Sequence, residues 1–185
     1  MLEGKNLNLR VAEKHDVSLV AEWWRNPQYM GEHQDVMDIS EARLERVMLK
    51  DTIFFIIEKK DGTRIGHVGS FSDSRGRSME IGYAIVPSER GKGYGTETIQ
   101  IMVDYLFLSK DIVRIQAPTE TRNTASQRAL EKAGFSKEGI MRKSLDVRGE
   151  YRDMCLYSIL REEWREPKVL TKEKVPSKRS GSDTL

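Results

Sequence analysis

The sequence predicts an α/β domain, of the α+β kind, with one central mixed sheet. Three observations carry that prediction. Short β-branched and aromatic segments recur along the chain, two of them joined by Asp61-Gly62. Between these lie segments whose apolar residues repeat at the 3.6-residue helical period. The two kinds interleave as strand, two helices, three strands, helix, strand, helix and two strands.

Leu7, Leu9 and Val11 alternate with polar neighbours and predict the first strand. Asp16 is a candidate N-cap for a helix carrying Val17, Val20, Ala21 and Trp24, which Asn26-Pro27 stops. Residues 29–38 are polar and irregular. Ser40 can cap a second helix with Leu44, Val47 and Met48 on one face. Residues 52–58 and 64–71 flank the Asp-Gly turn as a hairpin, and a polar turn over 72–78 leads into the apolar strand 79–86, which Pro87 ends. Three antiparallel strands in succession are the simplest arrangement. Ile99, Met102, Val103, Leu106 and Phe107 then mark a long helix. Residues 111–117 read as a short strand, and Asn123 opens a helix whose Ala125, Ala129 and Ala133 give a slim face and which Gly134 closes. Residues 135–144 and 150–160 form a closing pair around Arg148-Gly149.

The chain of 185 residues is long enough for one domain, assigned to residues 1–165, and residues 166–185 read as a polar, basic, disordered tail. Lys and Arg total 31 against 29 Asp and Glu, and the excess sits after Arg165. The near-neutral body speaks against a DNA-coating protein. Cys155 is the single cysteine, which excludes a disulfide scaffold, and His15, His33 and His67 lack metal-ligand spacing, so no metal is expected. The N-terminal ten residues are polar and no long apolar run follows, so the expectation is a cytoplasmic protein without a membrane partner.

Arg90-Gly91-Lys92-Gly93-Tyr94-Gly95-Thr96 stands between a strand and a helix. Glycines there let backbone N–H groups approach an anion, a pyrophosphate above all, and the helix N-terminus adds favourable dipole charge. A tight turn into a helix is the plainer alternative. Neither the P-loop pattern nor the dinucleotide fingerprint fits, because Gly93 and Gly95 are two apart and the preceding strand belongs to an antiparallel run.

Arg90-x-x-Gly93-x-Gly95 resembles the Q/R-x-x-G-x-G/A signature of the GNAT superfamily of acetyl-CoA-dependent N-acetyltransferases. The order of elements over about residues 5–164 is similar to that family as well. Residues 80–83 (E-I-G-Y), 123–135, 148–153 and 160–164 resemble the branch of ribosomal-protein N-terminal alanine acetyltransferases. The resemblance implies a seven-stranded, mostly antiparallel sheet splayed at the cofactor, with about four helices. It also implies that acetyl-CoA is held by the amides of residues 90–96, with its pantetheine arm along Ala84, Ile85 and Val86. Asn123 would contact that arm, serve as an N-cap, or both.

Acetyl transfer needs a neutral amine, a polarised thioester carbonyl and a stabilised leaving thiolate. Glu80 interrupts an otherwise apolar strand and is the candidate general base, with an arginine-paired structural carboxylate as the alternative. By resemblance, a strand amide within residues 81–83 meets the oxyanion. Many family members place a tyrosine acid seven residues after the helix-start asparagine, where this chain has Leu130. Ser126 is the substitute this branch suggests, with helix filler as the alternative. Cys155 reads as core packing. Trp23, Tyr29 and Met30 are candidates for the wall of an acceptor pocket, while Trp24 falls on the apolar helix face. Glu32, Asp35 and Asp38 could attract a cationic amine, or form an ordinary solvated loop. The expected acceptor is a protein N-terminal α-amine; a polyamine or aminoglycoside and a non-catalytic CoA-binding module are the alternatives. A homodimer is left open.

Overall fold

The β-branched segments pair into one open sheet of eight strands in the order β1-β2-β3-β4-β5-β6-β8-β7. The strands are β1 (Leu2–Glu3), β2 (Leu7–Val11), β3 (Ile53–Lys59), β4 (Arg64–Ser72), β5 (Ser78–Ile85), β6 (Arg114–Glu120), β7 (Ser136–Val147) and β8 (Glu150–Leu160). This computed structural model describes residues 1–72 and 77–170. The extra strand, beyond the seven expected, is β1, whose two residues are too few to show a period in sequence. The centre of the predicted turn between β4 and β5, residues 73–76, lies outside the described residues, as do residues 171–185.

All neighbours are antiparallel except β5 and β6. The run Ile53–Ile57 is continuously apolar because the sheet is covered on both faces. Phe55 and Ile57 join one core cluster with the long helix, whereas Phe54 and Ile56 join a second with the N-terminal helices. Those N-terminal helices are α1 (Val17–Arg25), α2 (Pro27–Met30) and α3 (Glu41–Arg46), the last running on as a π-turn over Val47–Asp51. The first cluster is covered by α4 (Tyr94–Ser109) and α5 (Thr124–Ala133).

Asp16 precedes α1 but its side chain does not cap that helix. It is fully buried and holds Arg10 through two hydrogen bonds of 2.9 and 2.8 Å, while also accepting from the Glu13 N–H. Ser40 and Asn123 do cap their helices, accepting from Arg43 N and Ser126 N. All five apolar residues that mark α4 are buried. On α5 the packing face is Leu130 and Ala133, with Ala129 at its margin and Ala125 exposed.

Residues 168–170, which the sequence reading places in the tail, pack against α4. Leu170 is wholly buried, and Asp104 on α4 accepts from the backbone N–H groups of Lys168, Val169 and Leu170 and from Trp164 Nε1. Sequence polarity misses this strap because its anchor is a buried carboxylate sixty residues away.

Candidate active site

The parallel pairing of β5 with β6 covers only Ser78, Met79 and Glu80 against Arg114, Ile115 and Gln116. Beyond Glu80 the two strands part, although β5 continues to Ile85 and β6 to Glu120. Val113 N donates to Arg77 O on the β6 side, and Val86 N donates to Ile65 O on the β4 side. Strand alternation then turns the peptide groups of Ile81, Tyr83 and Ile85 toward the opening. The free stretch of backbone thus begins nearer the fork than the expected Ala84–Val86. Within that trio Val86 N–H is spent on β4, and Ile85 O accepts from Arg90 Nε at 2.9 Å.

Glu80 stands at the fork. Gln116 Nε2 donates to its Oε2 at 3.0 Å, which orients the carboxylate across the two strands, and among the described residues it pairs with no arginine. Its face is that of Gln116 and Glu120, and Ala84 on the same side packs beside α1 and α2.

At the far end of β5 a 3₁₀ turn over Pro87–Glu89 leads into the glycine loop. Gly91 and Gly93 have φ of 76° and 88°, which a side chain would strain. Gly93 occupies the N-cap of α4 and brings no side chain, while Glu97 N is the first amide to bond back, to Gly93 O. The amides of Tyr94, Gly95 and Thr96 thus precede the first intrahelical bond, as an anion cradle requires. Gly95 is fixed by contact: a Cβ there would lie 3.0 Å from the Tyr83 ring. The flanking cations are otherwise engaged. Arg90 donates to the Tyr29 and Ile85 carbonyls, tying α2 to β5, and Lys92 pairs with Glu89 at 3.0 Å.

Asn123 caps α5 with its side-chain carbonyl, which leaves its amide N–H groups to donate elsewhere. Ser126, one turn on, faces the Tyr83 hydroxyl; burial raises the pKa of that phenol and the Ser126 bond partly offsets the rise. Leu130 is core, 1% exposed.

The acceptor side departs from expectation. Trp23, Tyr29 and Met30 are buried in the second core cluster together with Trp24, not set out as a wall. Tyr29 stacks on Trp23 and bonds His67 Nδ1 (2.8 Å) and Ala84 O (3.3 Å). His67 Nε2 accepts from Trp24 Nε1, so Nδ1 carries the proton and donates to Tyr29; burial pushes its pKa down to about 4. Glu32 remains exposed, in a segment that spans from α2 to β8. Arg148 donates to Gly31 O and through its N–H to Asp35, and Arg152 donates to Glu32 O. His33 Nδ1 lies 2.6 Å from Glu120, whose side chain is 2% exposed and also accepts from Arg122 Nε. Burial opposes the charge on Glu120, but the bonds from Arg122 and His33 outweigh it and hold its pKa below the usual range. Sequence reading missed Gln116, Tyr83 and the His33–Glu120 pair. Gln116 and Glu120 did carry a signal, as polar residues four apart on one face of a strand whose other face carries Ile115 and Ala117.

Comparison with known proteins decides the family. Residues 6–136 match the acetyltransferase (GNAT) domain model. The chain belongs to the GNAT acetyltransferases, and is an N-acetyltransferase that uses acetyl-CoA. It is 32% identical to the uncharacterised N-acetyltransferase p20 of Bacillus licheniformis over 174 residues, 88% of this chain and 97% of that one. In fold it is similar to the spermidine N-acetyltransferase of Vibrio cholerae, solved with CoA and spermine (TM-score 0.77, 23% identity, 87% of this chain and 99% of that one). It is also similar to the ribosomal-protein-S5-alanine acetyltransferase of Vibrio fischeri (TM-score 0.76, 21% identity, 89% and 98%). Those two likenesses speak to fold alone. The residues beyond the β5–β6 fork fit the GNAT cofactor: an unpaired strand edge along β5 for the pantetheine amides and, at the start of α4, free amides for a pyrophosphate. Among the described residues no helix is long and apolar enough to cross a membrane, and no cluster of three or more His, Cys, Asp or Glu could hold a metal.

Proposed function

We propose that this enzyme acetylates the α-amine of a protein N-terminus, in the cytoplasm, with Glu80 as general base. The observation that carries the acceptor class is charge compensation on the acceptor face. Glu120 is held by Arg122 and His33, Glu150 by Arg152, and Asp35 by an amide of Arg148. Glu120 and Glu150 therefore have their charge met by cations, and Asp35 is engaged by an amide while Glu32 stays exposed, which leaves fewer free carboxylates for a polyamine, whose recognition depends on them. A peptide asks instead for hydrogen-bond partners along an open edge.

The chemistry follows from position. Glu80, oriented by Gln116, takes the proton of the attacking amine directly or through a water. The amides facing the opening within residues 81–83 donate to the thioester oxygen as it gains charge. The amides of residues 94–96 bind the pyrophosphate, and Asn123 donates to the pantetheine arm. The departing sulfur leaves toward the start of α5, where Ser126, backed by Tyr83, is the hydroxyl in reach and the helix dipole favours negative charge. A panel of short peptides set against spermidine and kanamycin, followed by thiol release, tests the reading. Turnover confined to peptides is expected. Turnover confined to spermidine or kanamycin overturns the acceptor class, and CoA binding without any turnover overturns catalysis.

A further inference from the structure

Strands β4 and β5 lie in register with Phe71 opposite Glu80, Gly69 opposite Gly82 and His67 opposite Ala84. Alternation puts all six side-chain positions on one face, that of Glu80. The three rows meet different cover. His67 and Ala84 lie beneath α1 and α2, where His67 bonds Trp24 and Tyr29. Phe54 leans over Gly69, and a Cβ at that glycine would lie 3.4 Å from its ring. In the third row, beside Glu80, Phe71 is left 45% exposed. A half-exposed aromatic ring directly across the ladder from the candidate base needs an explanation, since packing supplies none.

Gly82, between Glu80 and Ala84 on β5, is exposed as well. Its backbone is ordinary extended strand, and a Cβ there would find no heavy atom within 4 Å apart from its chain neighbours. Neither conformation nor packing therefore calls for glycine, which weakens a strand interior and marks a place where a ligand approaches the backbone closely. The missing side chain leaves an open seat floored by Gly82 and bordered by Phe71 and Glu80. The other residues around it, Phe54 across Gly69 and Ala84 along β5, are apolar.

The reaction says what fills the seat. An amine within hydrogen-bond reach of Glu80, directly or through one water, brings with it the carbon that bears it. In a protein N-terminus that carbon carries the first side chain. Phe71 stands about 5 Å from Glu80 across the ladder and Gly82 about 7 Å along β5, Cα to Cα. A side chain that starts beside Glu80 can thus lie over the bare floor and against the ring. Alanine and serine side chains are too short to cover that ring; methionine and leucine cover it. Resting on the reading of the acceptor as a protein α-amine with Glu80 as base, we infer that Phe71 and Gly82 seat the acceptor's first side chain. Phe71 is then a specificity-determining residue, and it selects an apolar side chain of the size of methionine or leucine.

Peptides identical but for a first residue of Met, Leu, Ala, Ser or Asp test this with the full-length enzyme, by thiol release at saturating acetyl-CoA. Wild type is expected to favour Met and Leu over Ser and Asp by at least about tenfold in kcat/KM, the discrimination that a few buried methylenes supply. Phe71→Ala should bring the ratio of Met to Ser within about threefold, whereas Phe71→Leu keeps most of it. Gly82→Ala, which raises the floor, should cost the Met and Leu peptides more than the Ser peptide. Calorimetry with acetyl-CoA alone should give both Phe71 variants the affinity of wild type, which separates loss of the seat from loss of the fold. Equal turnover of every peptide by wild type, a preference for Ala, Ser or Asp, or an unchanged ratio in Phe71→Ala overturns the seat and leaves the acceptor class standing. Turnover of no peptide at all overturns the acceptor class, and the seat with it.

Discussion

At the scale of single residues, the account rests on Glu80 and on the glycines of the loop that follows β5. Glu80→Gln keeps the size and the Gln116 contact but cannot take a proton. The expected result is a loss of about 100-fold or more in kcat with acetyl-CoA affinity unchanged; unchanged kcat with every acceptor removes Glu80 from the chemistry. Gly95→Ala pushes a methyl group to 3.0 Å from the Tyr83 ring, so it should weaken acetyl-CoA binding measured by calorimetry. His67 makes a pH prediction. Its pKa is pushed down to about 4 in the fold, by burial, against 6.5 in the unfolded chain. The unfolded chain therefore binds the extra proton between those values, and stability falls as pH drops through that window. The full effect is about 3 kcal/mol, at about 1.4 kcal/mol per pH unit. Thermal midpoints from pH 7 to pH 4 should show this slope in wild type and lose most of it in His67→Gln. These residues were unequally legible. Glu80 and the glycine loop announce themselves because a charge in an apolar strand and a run of glycines are local anomalies. Tyr29 and Trp23 looked like site residues because aromatic side chains in a polar stretch are, and only the His67 partner on β4 shows that they are core.

At the scale of elements, the strap from Trp164 to Leu170 is the part the sequence hid. A polar segment with an arginine, a lysine and a proline reads as a tail unless its backbone is seen to bond a buried acid. Asp104→Ala strips the acceptor from Trp164 Nε1 and three backbone amides. Loss of about 2–4 kcal/mol is expected, with Trp164 fluorescence shifting as its indole meets water. A thermal midpoint within one degree of wild type would show that the clasp contributes nothing. The strands and the two long helices were legible because periods of two and 3.6 are written locally. The two-residue β1 and the single parallel pairing at β5–β6 were not, since register is a property of partners rather than of segments.

At the scale of the whole molecule, one event in the sheet organises the rest. Pairing stops after Glu80 and Gln116, which opens one strand edge and leaves Glu80, the proposed base, at the apex, with the glycine loop beginning some ten residues on, past the end of β5. The family resemblance implied that splay; the local residue pattern alone implied only a mixed sheet. The acceptor face is crossed by the segment from Gly31 to Asp35, pinned by Arg148 and Arg152, so charge on that face is shared among partners far apart in sequence. The most direct test of the account is calorimetric titration of the purified protein with CoA, with a thermal melt run alongside. The account predicts one binding event per chain and a higher melting midpoint, both much weakened in Gly93→Ala. No heat with wild type and an unmoved midpoint would contradict it.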